Sequence, residues 1–328
     1  MQKRRLGAGG PEVSAIGVGA MSFAGVYGQT TEAEAHAVLA AALELGIDHV
    51  DTSNVYGMGR SESMIGSFPD KKRFRIATKA AIRNDPATRR RWFDNSADHI
   101  ASELDGSLKR LGVEAVDLFY IHRRDPEVPI EEVTESLARL VKAGKTRSIG
   151  FSEIAPASLR RAAAVHPVAA VQSEYSLATR LPELGMVQAC EALGTALVAF
   201  SPVNRGMLTD TPVTPERIAA SEFLSSNPRF TGTNLAANLA LTDGFRRLAA
   251  EMGTSAAALA TAWLLARSPS AIPIPGTRSP AHLAEHAAGV ELALDAADLA
   301  RIEAVLPVGW AHGDRYSPTQ NVGPERYC

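Results

Sequence analysis

The chain has 328 residues, 45% hydrophobic and 21% charged, and its 34 basic against 36 acidic side chains leave a net charge of −2. That balance gives no general attraction to nucleic acid or an anionic membrane, and two cysteines, Cys190 and Cys328, make no disulfide framework and suit a reducing cytoplasm. A chain this long buries roughly 75% of the surface its unfolded form exposes, so its core needs no disulfide or metal. No apolar stretch of signal length follows Lys3, Arg4 and Arg5, and the most apolar run, 256–266, is about half of a bilayer span. The expectation is a soluble cytoplasmic protein without nucleic-acid or membrane partners.

Residues 4–13, turning at Gly9-Gly10-Pro11, read as a small hairpin. A first strand over 15–19 precedes a helix that opens with Thr31 and Glu34 in capping-box spacing, carries Val38, Leu39, Ala42 and Leu43 on one face, and stops at Gly46. Strand 47–52, a short helix 61–67, strand 74–79 and a long helix follow. In the long helix Ile100, Leu104, Leu108 and Leu111 make one apolar stripe that ends at Gly112. Strand 116–122 leads to helix 130–143 with Gly144 as its stop, strand 147–152 to helix 156–165, and strand 168–172 to helix 185–193. After strand 195–201 come an insertion, helices near 234–252 and 255–266, strand 271–275, and a helix from Pro280.

Eight strands, each followed by a helix, is the count of an α/β fold of the (β/α)8 TIM barrel type, with parallel strands behind an N-terminal β-hairpin; a doubly wound sheet is the alternative. The repetition makes 1–328 one barrel domain. Segments 202–233 and 306–328 have no barrel duty and are expected to be loops shaping a site.

Barrel enzymes carry their working residues at the C-terminal strand ends. Here those ends hold Asp51, Lys79, His122, Ser152, Gln172 with Glu174, and Ser201, a set that a barrel filled only for stability does not need. Singly, Asp51 reads as a turn cap, Lys79 as a solvated charge and His122 as a satisfied core histidine. Their joint placement favours chemistry.

Asp51 is followed five residues later by Tyr56 in Asp51-Thr52-Ser53-Asn54-Val55-Tyr56-Gly57. With Lys79 in Ala77-Thr78-Lys79 and His122 in Tyr120-Ile121-His122-Arg123, the chain resembles the aldo-keto reductase family, whose tetrad runs aspartate, tyrosine, lysine, histidine in this order. Within the family it is most similar to bacterial members acting on pyridoxal-like and general aldehydes, through Gln172-Ser173-Glu174-Tyr175-Ser176 and Asn227-Pro228-Arg229-Phe230. The resemblance implies that Asp51, Tyr56, Lys79 and His122 are catalytic, that NADPH is the cofactor, and that the partner is a small carbonyl substrate.

It further implies that Ser152 of Gly150-Phe151-Ser152 and Gln172 hold the nicotinamide carboxamide, and that Phe200 of Phe200-Ser201-Pro202 stacks on the ring, where a tyrosine is more usual. Gly276-Thr277-Arg278 with His282, Glu285 and His286 resembles the adenosine-phosphate site. Ala20, Met21, Asp51, Ser201, Pro202, Asn204 and Arg205 complete the implied cofactor contacts. Two positions depart from the pattern: Glu153 stands where many members have asparagine beside the carboxamide serine, and His286 where asparagine commonly reads adenine.

The chemistry also follows from the residues alone. Hydride addition to a carbonyl puts negative charge on its oxygen, so a site needs a proton donor and a supporting positive field. Tyr56 is the donor, and a nearby Lys79 ammonium is expected to lower its phenol, typically by about 1 to 3 pKa units. Asp51 keeps Lys79 charged, and His122 orients the carbonyl. The helix from Pro280 starts behind Ser279, so its N–H groups face Gly276–Arg278 as an anion site, and the Arg278 guanidinium favours NADPH over NADH.

Other signals carry less. Gly17-Val18-Gly19-Ala20-Met21-Ser22 begins like a dinucleotide fingerprint but lacks the third glycine. His282-Leu283-Ala284-Glu285-His286 matches a zinc-peptidase spacing without a third ligand, so no metal is expected. His36, His49, His99 and His166 read as structural. Met21, Phe23, Val26, Tyr27, Phe230 and Trp310, around Tyr56 and His122, suggest an apolar mouth for aromatic or medium-sized aldehydes and ketones. Two other functions stay open: a Schiff-base aldolase using Lys79, and a non-catalytic NADPH sensor. The sequence leaves oligomeric state undetermined.

Overall fold

The computed structural model describes residues 1–85, 88 and 91–327, so Cys328 lies outside the described residues. Strands β1 (Lys3–Arg5) and β2 (Glu12–Ser14) form the expected antiparallel hairpin. Its Leu6 and Val13 pack with Leu118, Ala170, Ala196 and Ile272, so the hairpin closes the N-terminal end of the barrel.

The barrel strands are β3 (Val18–Gly19), β4 (His49–Asp51), β5 (Arg75–Ala80), β8 (Leu118–Ile121), β9 (Ile149–Ser152), β10 (Ala170–Glu174), β11 (Ala196–Phe200) and β12 (Ala271–Pro273), with the small ribbon β6 (Ile82–Asn84) and β7 (Arg91–Phe93) inserted after β5. All neighbours in the 8-stranded sheet are parallel, from β3 through β12. The seam between first and last strands is bonded in one direction only: Gly17 N donates to the Pro273 carbonyl at 2.8 Å and Gly19 N to that of Pro275 at 2.9 Å. Pro273 and Pro275 have no N–H to return. Gly19 is needed there, because a Cβ on it would lie 2.6 Å from the Ile274 carbonyl oxygen.

Helices α1 (Glu32–Glu44), α2 (Arg60–Ser67), α3 (Ala97–Leu111), α4 (Ile130–Lys142), α5 (Pro156–Val165) and α6 (Met186–Leu193) cover the first barrel strands in alternation. The Thr31/Glu34 capping box of α1 is present. Helix α3 buries Ile100, Leu104, Leu108 and Leu111 and ends at Gly112 with φ +64°, a left-handed stop that costs other residues more. Each such buried aliphatic contributes about 1.5–3 kcal/mol. The second half is α7 (Pro215–Ala219), α8 (Glu222–Ser225), α9 (Gly232–Glu251), α10 (Ala256–Arg267), α11 (Pro280–Val290) and α12 (Ala296–Val305).

The structure corrects the expected elements in three places. Six of the barrel strands are shorter than the runs that suggest them, since only part of each run finds a ladder partner, while β5 and β10 keep their expected lengths and are shifted by one and two residues toward the C-terminus. The β6–β7 ribbon and α12, which has a capping box from Asp295 and Asp298, are elements that the chain-order reading does not contain. The 202–233 insertion contains α7 and α8 rather than loop alone. Among the described residues no single helix is long and apolar enough to cross a membrane; α9 and α10 reach that composition only as a pair bent by 89°.

Candidate active site

Alternate strand residues share a face, so two positions beyond an inward core residue the chain points inward again. Ala77, Tyr120, Ala170 and Val198 pack inside the barrel. Lys79, His122, Gln172 and Phe200 stand two positions further on. The interior therefore turns from apolar to polar at its C-terminal rim.

Lys79 is fully buried; its Nζ donates to Asp51 Oδ1 and, at 2.7 Å, to the Thr52 carbonyl. The second Asp51 oxygen accepts from Gln172 Nε2 at 2.9 Å. Burial pushes the Lys79 ammonium below its ordinary range, and the Asp51 charge opposes that shift. With its nitrogen spent on these partners, Lys79 does not line the cavity. A Schiff-base role would require breaking that pair.

Tyr56 has the Lys79 nitrogen 5.3 Å from its ring centre and meets the His122 ring edge-on, 5.7 Å between centres at 82°. The expected lowering of the phenol is reversed. Burial pushes Tyr56 upward and the Asp51 charge adds to the rise, while Arg123 opposes it. Paired with Asp51, Lys79 presents little net charge. Burial, with the charges of Arg123, Lys79 and Arg91, holds His122 well below its usual range, so it is neutral at pH 7. Its Nδ1 lies 3.1 Å from Ser53 Oγ.

These groups open into a cavity of about 850 Å³ that runs from Tyr56 and His122, past Ser152, Gln172 and Phe200, to Arg278, His282 and Glu285. Met21, Tyr27, Asp51, Ser201, Pro202, Arg205, Gly276, Thr277 and His286 also line it. Ser279 gives α11 no side-chain cap and Pro280 has no N–H, so this positive helix end suits a phosphate. A Cβ on Gly276 would lie 3.0 Å from the Gly19 carbonyl oxygen, so this loop passes close to the end of β3. Arg278 Nη1 donates to the Gln29 carbonyl at 2.8 Å, bridging to the loop after β3. His286 is pushed down to about 4 by burial, followed by the nearby His282, and its Nδ1 lies 2.8 Å from Thr261 Oγ1.

Six other expected contacts, Val26 among them, do not line the cavity. Phe23, Phe230 and Trp310 belong to the core between strands and helices, Trp310 donating from Nε1 to the Leu177 carbonyl at 2.8 Å. Large aromatic rings are more completely covered there than at a mouth. Ala20 is buried with its carbonyl accepting from Ser61, and Asn204 is buried beside Met207 and Arg229.

The mouth is instead more charged than its sequence suggests. Arg91, Arg123 and Tyr316 line it. Behind it, buried Glu174 takes Arg205 at 2.8 Å and Arg229 at 3.4 Å, and Glu153 pairs with Arg315. Glu153, Asn204 and Arg205, which belong to this network, and Ser201 all have positive φ, a conformation that costs non-glycine residues about 1–3 kcal/mol. Arg123, next to His122, was within reach of sequence reasoning. Arg91, Arg315 and Tyr316 carry no motif that would flag them.

Residues 15–307 match the family model described as the aldo/keto reductase family. The chain is 36% identical to aldo-keto reductase yakc (NADP(+)) of Schizosaccharomyces pombe, covering 94% of this chain and 93% of that protein. It is 36% identical to probable aldo-keto reductase 1 of Glycine max, covering 96% and 92%. Among solved structures it is similar to the glycerol dehydrogenase AKR11B4 of Gluconobacter oxydans, with 27% identity, a TM-score of 0.79, and 90% and 92% of the two chains covered.

Proposed function

The chain belongs to the aldo/keto reductase family, an oxidoreductase family, and from that premise we propose an NADPH-dependent reductase of aldehydes or ketones with Tyr56 as proton donor. The observation that carries this reading is the convergence of Asp51, Tyr56 and His122, with Lys79 behind them, on one end of a cavity whose other end has the uncapped start of α11. The name of the yeast relative supports NADP(H).

When bound, NADPH supplies the hydride that the carbonyl carbon accepts. Gly276, Thr277, Arg278 and the start of α11 would hold its phosphates, and Ser152 with Gln172 its carboxamide. The segments 202–233 and 306–328 would shape the site of this single barrel domain. Tyr56, kept protonated by its raised pKa, gives its proton to the carbonyl oxygen. The positive charge of Arg123, which opposes the rise of the Tyr56 pKa, favours the phenolate left behind. His122 is neutral, and a Ser53 hydroxyl donated to Nδ1 leaves Nε2–H to hold the carbonyl oxygen. Asp51 and Gln172 fix Lys79 in place.

The test is loss of NADPH absorbance with purified protein against a panel of aldehydes and ketones, run in parallel with NADH. Turnover mainly with NADPH is the expected result. Tight NADPH binding without turnover of any member overturns it in favour of a sensor, and borohydride trapping of substrate on Lys79 overturns it in favour of an aldolase.

A further inference from the structure

The cavity beside Tyr56 and His122 holds two guanidiniums that no carboxylate among the described residues neutralises. Arg123, only 7% exposed, donates from Nη1 to the His122 carbonyl at 2.6 Å and to Ser152 Oγ at 3.0 Å, and has no acidic partner among the described residues. Arg91 on β7 lines the same space, with its Nε buried and unbonded and its guanidinium 5.5 Å from the Phe93 ring centre. Burial, with the Arg123 charge beside it, pushes Arg91 down to about 10. Arg91 and Arg123 line one cavity with Tyr56 and His122, and both charges hold the His122 pKa down.

Neighbouring acids are already engaged. Glu174 holds Arg205 and Arg229, Glu153 holds Arg315, and Asp51 holds Lys79. The phosphate cradle of the proposed cofactor does not reach them either. Arg123 follows β8, fourth of the eight strands, and Gly276 follows β12, the eighth, so they stand on opposite sides of the barrel mouth. A partly buried cation without a counter-charge is costly unless a ligand brings one.

We infer that Arg91 and Arg123 form an anion subsite for substrate, so that the preferred carbonyl compound carries a carboxylate or phosphate beside its reacting carbon. This rests on the reductase reading above. Planar guanidinium forks suit the paired oxygens of both groups. The inference replaces the apolar mouth expected from Phe23, Phe230 and Trp310, which lie in the core.

The experiment compares 4-carboxybenzaldehyde with its methyl ester, and glyceraldehyde 3-phosphate with glyceraldehyde, in NADPH turnover by the wild type, Arg91→Met and Arg123→Met. The expected result is a kcat/KM at least about tenfold higher for an anionic member, carried mainly by KM, with that ratio falling toward one in at least one variant. The pair showing the preference tells carboxylate from phosphate. Equal kcat/KM within both pairs overturns the subsite, as does a preference that both variants retain. If no aldehyde is turned over, the reductase reading fails and binding decides the subsite: benzoate and inorganic phosphate are titrated against benzamide on the NADP+-loaded protein by calorimetry. An anion bound more tightly than benzamide, and lost in either variant, supports the subsite; neither anion bound more tightly than benzamide overturns it.

Discussion

The wall of the cavity that carries Asp51 and His122, with Lys79 behind them, is made of adjacent strand ends, whereas the wall that carries Arg205, with Arg229 and Arg315 behind it, is assembled from the loop after β11, the insertion before α9 and the C-terminal tail. In the first, the parallel ladder sets each side chain's position, and the side chains are left to do chemistry. In the second, position comes from charge, with Glu174 and Glu153 gathering three arginines from distant parts of the chain. The difference teaches where damage should appear. Changes in the strand wall should alter turnover more than stability, and changes in the loop wall should do the reverse.

The largest expected effect is on the strand wall. Tyr56→Phe should lower turnover by a factor on the order of 10² to 10⁴ and leave NADPH affinity, read by fluorescence titration, intact. Unchanged turnover would remove Tyr56 from the mechanism. On the loop wall, Glu174→Gln leaves Arg205 and Arg229 buried without a carboxylate and should cost roughly 3–5 kcal/mol of stability in denaturant unfolding. Loss of activity with unchanged stability would erase the contrast between the walls.

A pH profile sharpens the comparison. The Asp51 carboxylate raises the pKa of Lys79 against the lowering caused by burial, so Asp51→Asn lowers that pKa further. The ammonium is then lost earlier as pH rises, and the basic limb of kcat/KM against pH should move to lower pH. A limb moving upward would contradict the charge assignment. Arg278→Ala should weaken NADPH by about tenfold or more while sparing NADH, measured as paired dissociation constants; equal losses would remove its 2′-phosphate role. The smallest effect is expected at Phe230, which lies in the core: Phe230→Leu should cost less than about 1.5 kcal/mol in unfolding and leave substrate KM unchanged. A changed KM would return Phe230 to the mouth.

Much of the strand wall was legible because period-two alternation and strand ends are local properties of sequence. Lys79, His122 and Gln172 are each announced by Ala77, Tyr120 and Ala170 two positions earlier on the same face, and Asp51 and Ser152 by their place at the ends of strands. The helix stops at Gly46, Gly112 and Gly144 were legible for the same reason, since each has a positive φ that favours glycine. The loop wall was not legible. Nothing local to Arg315 says that its partner is Glu153, 162 residues earlier, and nothing near Arg91 says that it lines a cavity with His122. The aromatic candidates misled because a large ring near a loop has two homes, and burial favoured the core for Phe23, Phe230 and Trp310. The phenol shift expected for Tyr56 failed for another reason: it counted the lysine charge without the paired aspartate and without burial.

Transfer of label from cofactor to product tests the central claim most directly. NADPH carrying deuterium at both C4 positions of the nicotinamide is incubated with the protein and a turned-over aldehyde, and the alcohol is analysed by mass spectrometry and NMR. The account predicts one deuterium on the former carbonyl carbon, formed by the wild type and reduced by a factor on the order of 10² or more in rate by Tyr56→Phe. An alcohol without deuterium at that carbon, or equal rates in the two proteins, would contradict it.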